Sequence, residues 1–84
     1  MVNYYVHDGD RLVETAVDLA RRHVPEGRVQ SLVDGSDCVV VAGDSRLVVD
    51  LRRGNYDVYA GSEVIGKYTD WDRALAKYET LLEG

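Results

Sequence analysis

The sequence predicts an α+β domain: an antiparallel β-meander of four to five strands with two amphipathic helices, one N-terminal and one C-terminal, packed on one face. Three observations predict it. Residues 10–24 place apolar side chains at helical spacing, residues 28–68 break into short β-type runs separated by turn residues, and residues 70–83 return to helical spacing. A chain of 84 residues accommodates one domain, here 1–84. A domain of that size buries about 60–65% of the surface its unfolded chain exposes, so its core is thin.

The first helix is read from Leu12, Val13, Ala16, Val17, Leu19, Ala20, His23 and Val24, which recur at i, i+3, i+4 and i+7. Asp8 or Asp10 supplies an acceptor for the unpaired backbone N–H groups of its first turn. Arg21, Arg22 and His23 place positive charge against the negative end of its dipole. Pro25 disfavours helical backbone at Val24 and ends the helix there. Residues 1–9 read as an edge strand or a tail, because Val2, Tyr4 and Val6 alternate with polar or smaller neighbours in part of the segment.

The centre of the chain is punctuated at close intervals. Asp34-Gly35-Ser36-Asp37, Gly43-Asp44, Arg53-Gly54-Asn55 and Gly61-Ser62 are turn sequences. Between them lie Arg28–Val33, Cys38–Ala42, Ser45–Arg52, Tyr56–Ala60 and Glu63–Tyr68. Connections this short cannot carry the crossover a parallel pair needs, so the strands are antiparallel neighbours. In the third, Leu47, Val49 and Leu51 face one way and Arg46, Val48, Asp50 and Arg52 the other. The second helix is read from Trp71, Ala74, Leu75, Tyr78, Leu81 and Leu82, with Thr69 or Asp70 as its cap and Gly84 as its stop.

Composition narrows the classes of function. Fifteen acidic and ten basic residues give a formal net charge of −5, which opposes binding to a phosphate backbone. The single cysteine, Cys38, excludes an internal disulfide framework and a cysteine-based zinc site. Its setting beside Val39, Val40 and Val41 suits a small buried hydrophobe rather than a nucleophile. The N-terminus lacks the pattern of a secretory signal, and no apolar run approaches the ~20 residues of a membrane span, so the expectation is a cytoplasmic protein without a membrane partner. There is no phosphate-binding glycine loop, no nucleophile elbow and no calcium-loop pattern. The expectation is therefore a protein that is not an enzyme and holds no cofactor.

Four constellations are left. His7, Asp8 and Asp10 combine imidazole with carboxylates, a donor set competent for a metal ion, although Asp and Gly are also what a helix start requires. Arg46, Arg52, Arg53 and Lys67, interleaved with Tyr56, Tyr59 and Tyr68, form a second candidate site, for a nucleic acid or a phosphorylated ligand. Asp57 and Glu63 flank a hairpin as a candidate pair of opposed carboxylates, with solvated surface charge as the simpler reading. The fourth constellation is the strand face turned away from the helices. There Val39, Val41, Val48, Tyr59 and Ile65 make an apolar, tyrosine-bearing surface of the kind that marks association sites. A non-enzymatic interaction module, acting as a homodimer or as an adaptor for another protein, is the reading this favours.

Overall fold

The computed structural model describes residues 3–34, 37–50 and 52–84; the side chains of residues 3–10, 26, 33 and 34 lie outside that description. Helix α1 (Asn3–His23) is followed by a 3-10 turn (Glu26–Arg28). Five strands come next, β1 (Val29–Asp34), β2 (Asp37–Ala42), β3 (Ser45–Asp50), β4 (Asn55–Ala60) and β5 (Glu63–Tyr68), and then helix α2 (Trp71–Glu83). The strands pair in sequence order, β1-β2-β3-β4-β5, each antiparallel to the next. The α+β meander with its two helices is the fold the sequence predicts.

α1 begins at Asn3, so residues 3–9 are neither an edge strand nor a tail, and Asp8 and Asp10 lie inside the helix rather than at its cap. Met1 and Val2 lie outside the described residues. The short alternation that suggested a strand also fits a helix, since Val6, Val13 and Val17 are seven and four positions apart. Propagating an existing helix gains one hydrogen bond per residue fixed, whereas an edge strand must find a free ladder. At the other end the prediction holds: Val24 N–H closes on Ala20 O at 2.9 Å, and Pro25 stops the run.

Between β2 and β3, and between β4 and β5, the two central turn residues begin with glycine, Gly43 at φ +60° and Gly61 at φ +64°. A left-handed first residue matches the twist of an antiparallel pair, so these turns set the register of both hairpins. Asp50 organises the β3–β4 turn by accepting from the backbone N–H groups of Arg52 (3.1 Å) and Arg53 (3.2 Å). Asp70, in extended backbone, caps α2 by accepting from Asp72 N–H at 3.2 Å, which settles the choice between Thr69 and Asp70. Gly84 N–H returns to Leu81 O at 3.2 Å.

Both helices lie on one face of the sheet. α1 covers β1 and β2, α2 covers β3 to β5, and the helices touch along their length. The layer between is Val40, Leu47, Val49 and Val58 from the sheet, Ala16, Leu19 and Ala20 from α1, and Ala74 and Tyr78 from α2. The strict alternation of β3 is visible in burial: Ser45, Leu47 and Val49 are buried, and Arg46, Val48 and Asp50 are not. Leu51, expected to continue the inward set, lies outside the described residues. Tyr56 meets Trp71 edge-on, with ring centroids 5.3 Å apart, and pins the start of α2 to β4.

An odd number of strands separates the helices, and this sets their direction. α1 hands the chain to β1 at one end of the sheet, and β5 hands it to α2 at the opposite end. α1 and α2 therefore run parallel to each other, and their carboxyl ends lie side by side. His23, the last residue of α1, accordingly stands 3.7 Å from Glu79, in the final turns of α2.

The ladder breaks once. Val58 pairs with Gly66 and Tyr59 with Val64, leaving Ile65 as the extra residue of a β-bulge. Past the bulge, the Tyr68 ring lies over Gly66 so closely that a Cβ there would sit 2.6 Å from Tyr68 Cε2. Gly66→Ala is expected to destabilise the protein by about 1–3 kcal/mol, because an overpacked ring must leave its place. Urea unfolding of the variant, read by the midpoint at unchanged slope, checks it.

Tyr78 is fully buried and donates a long hydrogen bond, 3.5 Å, to Val40 O. Burial raises its pKa from 10.0 to about 12. The unfolded chain then releases this proton before the folded one, so the contribution is intact below pH 10 and is lost as pH rises towards 12. Unfolding free energies of wild type and Tyr78→Phe are expected to differ by about 1 kcal/mol or less at neutral pH, the bond being long. From pH 10 to 12 wild type should lose on the order of 2 kcal/mol relative to the variant.

Candidate functional site

The sheet face away from the helices is read from the register. On one side of β3 lie Leu47 and Val49, under the helices; on the other lie Arg46 and Val48. Pairing carries this division across the sheet. One outer row runs Leu32, Val39, Val48, Asp57, Lys67, and the next runs Gln30, Val41, Arg46, Tyr59, Val64. The result is an apolar patch of Leu32, Val39, Val41 and Val48 on β1 to β3, bordered by Arg46 and Asp57 and by a third outer row of Asp37, Asp50 and Asn55. Leu32 is 50% exposed and Val64 is 37% exposed, the large apolar side chains most open to solvent among the described residues. Val39, Val41, Val48 and Tyr59 are half-buried, shielded by one another rather than by a second layer.

Four of the five residues expected on this surface are on it: Val39, Val41, Val48 and Tyr59. Ile65 is not. As the bulge residue it rotates to the helix side and packs against the core, and Val64 takes the outer position opposite Tyr59. Leu32 belongs to the surface as well and was missed. Its signal is the alternation of β1, in which Leu32 and Gln30 share a face.

Arg46 lies on this surface. Its guanidinium carbon lies 5.0 Å from the Tyr59 ring centroid, and Nη2 donates to Gly61 O at 3.2 Å. The stacked plane extends the apolar field towards the β4–β5 turn. The other basic candidates are elsewhere. Arg52 and Arg53 occupy the β3–β4 turn at the opposite end of the sheet, where Arg53 Nε stands 3.8 Å from Asp50 Oδ2. Lys67 is the cross-strand partner of Asp57. That pairing also separates Asp57 from Glu63, which stands opposite Ala60, so the two carboxylates are not opposed. Arg52, Arg53 and Lys67 thus stand at one end of the sheet, with Arg53 and Lys67 on the walls of one depression that Asp50 and Asp57 also line, and Arg46 stands at the other end.

The remaining sequence candidates fall only partly within the described residues. The backbones of His7, Asp8 and Asp10 are helical, where adjacent positions lie about 100° apart around the axis. Their side chains lie outside the described residues. Cys38 is half-buried on the helix side, paired with Val49. Of the Asp34-Gly35-Ser36-Asp37 turn, Gly35 and Ser36 lie outside the described residues.

An open groove of about 420 Å³ lies between the helices, with Asp18, Arg22, Asp72 and Glu79 on its walls. Small-molecule sites are mostly apolar with a few convergent polar groups, and this charged, open groove is not of that kind. No helix among the described residues is long and apolar enough to cross a membrane. No protein-family model matches the chain, and neither the curated proteins nor the solved structures yield a match.

The acids set among Arg52, Arg53 and Lys67, namely Asp37, Asp50 and Asp57, have a measurable consequence. A fluorescence titration with single-stranded DNA or RNA at about 20 mM salt, where phosphate contacts are strongest, is expected to show no saturable binding. Micromolar affinity with a steep salt dependence would restore the anion reading.

Proposed function

We propose that the protein is a non-enzymatic association module that works as a homodimer, with the helix-free sheet face of one copy packed on that of another. The observation that supports this is the asymmetry of the two faces. One side of the sheet is covered by both helices, while the other holds Leu32, Val39, Val41, Val48, Tyr59 and Val64 with no helix or strand of the described residues over them. Burying apolar side chains is favourable by about 25 cal/mol per Å², and a sheet with one bare apolar face gains that energy by acquiring a second layer.

The composition of the face suits a second copy. Its aliphatic part is Leu32, Val39, Val41 and Val48, and charges of both signs border Val48, Arg46 with Asp50 and Asp57, while Asp37 and Lys67 stand farther out. A self-facing surface with both signs at its edge can pair unlike charges about a twofold axis, which a surface of one sign cannot. Five strands of six residues make a field of about 24 by 20 Å at usual β spacings. That is about 480 Å², well short of the ~800 Å² per partner of a standard interface. The dimer should therefore be concentration-dependent, with a dissociation constant in the micromolar range, on the order of 1–100 μM.

Sedimentation equilibrium from 1 to 500 μM is the test, these loading concentrations spanning roughly the expected affinity range. The average mass is expected to rise from one chain to two, and Val48→Glu at the centre of the face is expected to hold it at one chain. Val48 points away from the core, so the variant should keep the wild-type circular dichroism spectrum. Wild-type protein that stays monomeric across the range, or a Val48→Glu variant that dimerises equally well, would overturn the proposal.

A further inference from the structure

The parallel course of the helices brings together a group of side chains that the association reading does not use. His23 closes α1, and Glu79 and Glu83 lie one turn apart near the end of α2. One donor atom from each of the three lies within 4.8 Å of the others. His23 Nε2 and Glu79 Oε2 are 3.7 Å apart, with the imidazole side chain 24% exposed and the carboxylate 44%. In sequence the histidine and the first glutamate are far apart; helix packing alone makes them neighbours.

We propose that His23, Glu79 and Glu83 form a site for a divalent transition-metal ion, zinc being the best chemical match, which ties the carboxyl end of α1 to that of α2. The donor set favours this class of ion. An imidazole nitrogen with two carboxylates suits zinc and its neighbours, whereas magnesium and calcium prefer all-oxygen sites. Tetrahedral zinc, with bonds of about 2.0–2.1 Å, places its donors about 3.3 Å apart. The three donors must close by at most about 1.5 Å, within reach of small rotations of exposed glutamates. Three protein ligands leave a fourth position for water.

The electrostatics of this end of the molecule point independently to a cation. Glu79 and Glu83 are like charges at i, i+4, which repel on a helix surface. They also stand where the α2 dipole is negative, and the last turn of α2 contains no basic residue. The negative end of α1 lies beside it, because the helices are parallel. Arg21, Arg22 and His23 answer the α1 terminus, and Arg22 lines the groove next to Glu79. A guanidinium balances charge there but cannot join imidazole to carboxylate. A bound dication coordinates all three groups and offsets both the paired glutamates and the converging dipoles.

Calorimetric titration of the purified protein with zinc chloride, repeated with magnesium chloride, tests the site alongside thermal unfolding. One zinc ion per chain is expected to bind, and at 100 times its dissociation constant to raise the melting temperature by about 10–20 °C. Magnesium is expected to bind at least tenfold more weakly, for want of affinity for imidazole. His23→Ala should abolish zinc binding, Glu83→Gln should weaken it about tenfold or more, and His7→Ala should leave it unchanged. All three positions can be checked for folding by their metal-free melting curves. Absence of saturable zinc binding, equal affinity for magnesium, undiminished binding by folded His23→Ala or Glu83→Gln, or loss on His7→Ala would overturn the assignment.

Discussion

The structure depends on the burial of one face of a five-stranded sheet beneath two parallel helices. Val40, Leu47, Val49 and Val58 project from three central strands into a layer closed by small residues on the helices, Ala16 and Ala20 on α1 and Ala74 on α2. Alanine at these positions allows the helix backbones to approach the sheet, and Tyr78 fills the volume that remains between α2 and β2. Its hydroxyl is the polar group this layer must accommodate, and Val40 O is its acceptor. No buried side-chain polar atom is left without a partner among the described residues. A thin core tolerates few such groups, so the polar chemistry of the chain is carried on its surfaces.

Both surface features follow from that single layer. Helices on one side of the sheet leave the other side bare, and the period of two along each strand makes the bare side apolar wherever valines run consecutively, as they do in Val39-Val40-Val41 and Val48-Val49. The same layer, with an odd number of strands between its helices, brings two negative helix ends together with His23, Glu79 and Glu83. An even number would have set the helices antiparallel and placed His23 beside the start of α2 instead. Sheet face and helix ends lie on opposite sides of the molecule, so association and metal binding would not compete for the same surface.

How far the sequence was legible depended on whether a signal was local. The hairpins were, because each turn announces itself in two to four residues and each strand in its alternation. Positions on the outer face followed for Val39, Val41, Val48 and Tyr59 by counting in twos. The count failed at Ile65, because a bulge is a mismatch between two strands, and the sequence of either strand alone does not contain it. It failed at residues 3–9 for a related reason. A short alternating stretch has two consistent readings, and the choice rests on the cooperativity of the helix that follows.

By itself the sequence determined the kinds of element, their order, the antiparallel sense of the sheet and the apolar character of both its faces, because these follow from residue spacing over a few positions. The tertiary structure decided which side the helices cover, in which direction they run and which distant side chains become neighbours. Arg46 was legible as a basic residue but not as the partner of Tyr59, and His23 as a helix end but not as the partner of Glu79 and Glu83. Those pairings cross strands and helices, and they exist only once burial of the sheet has set the distance between the elements that carry them.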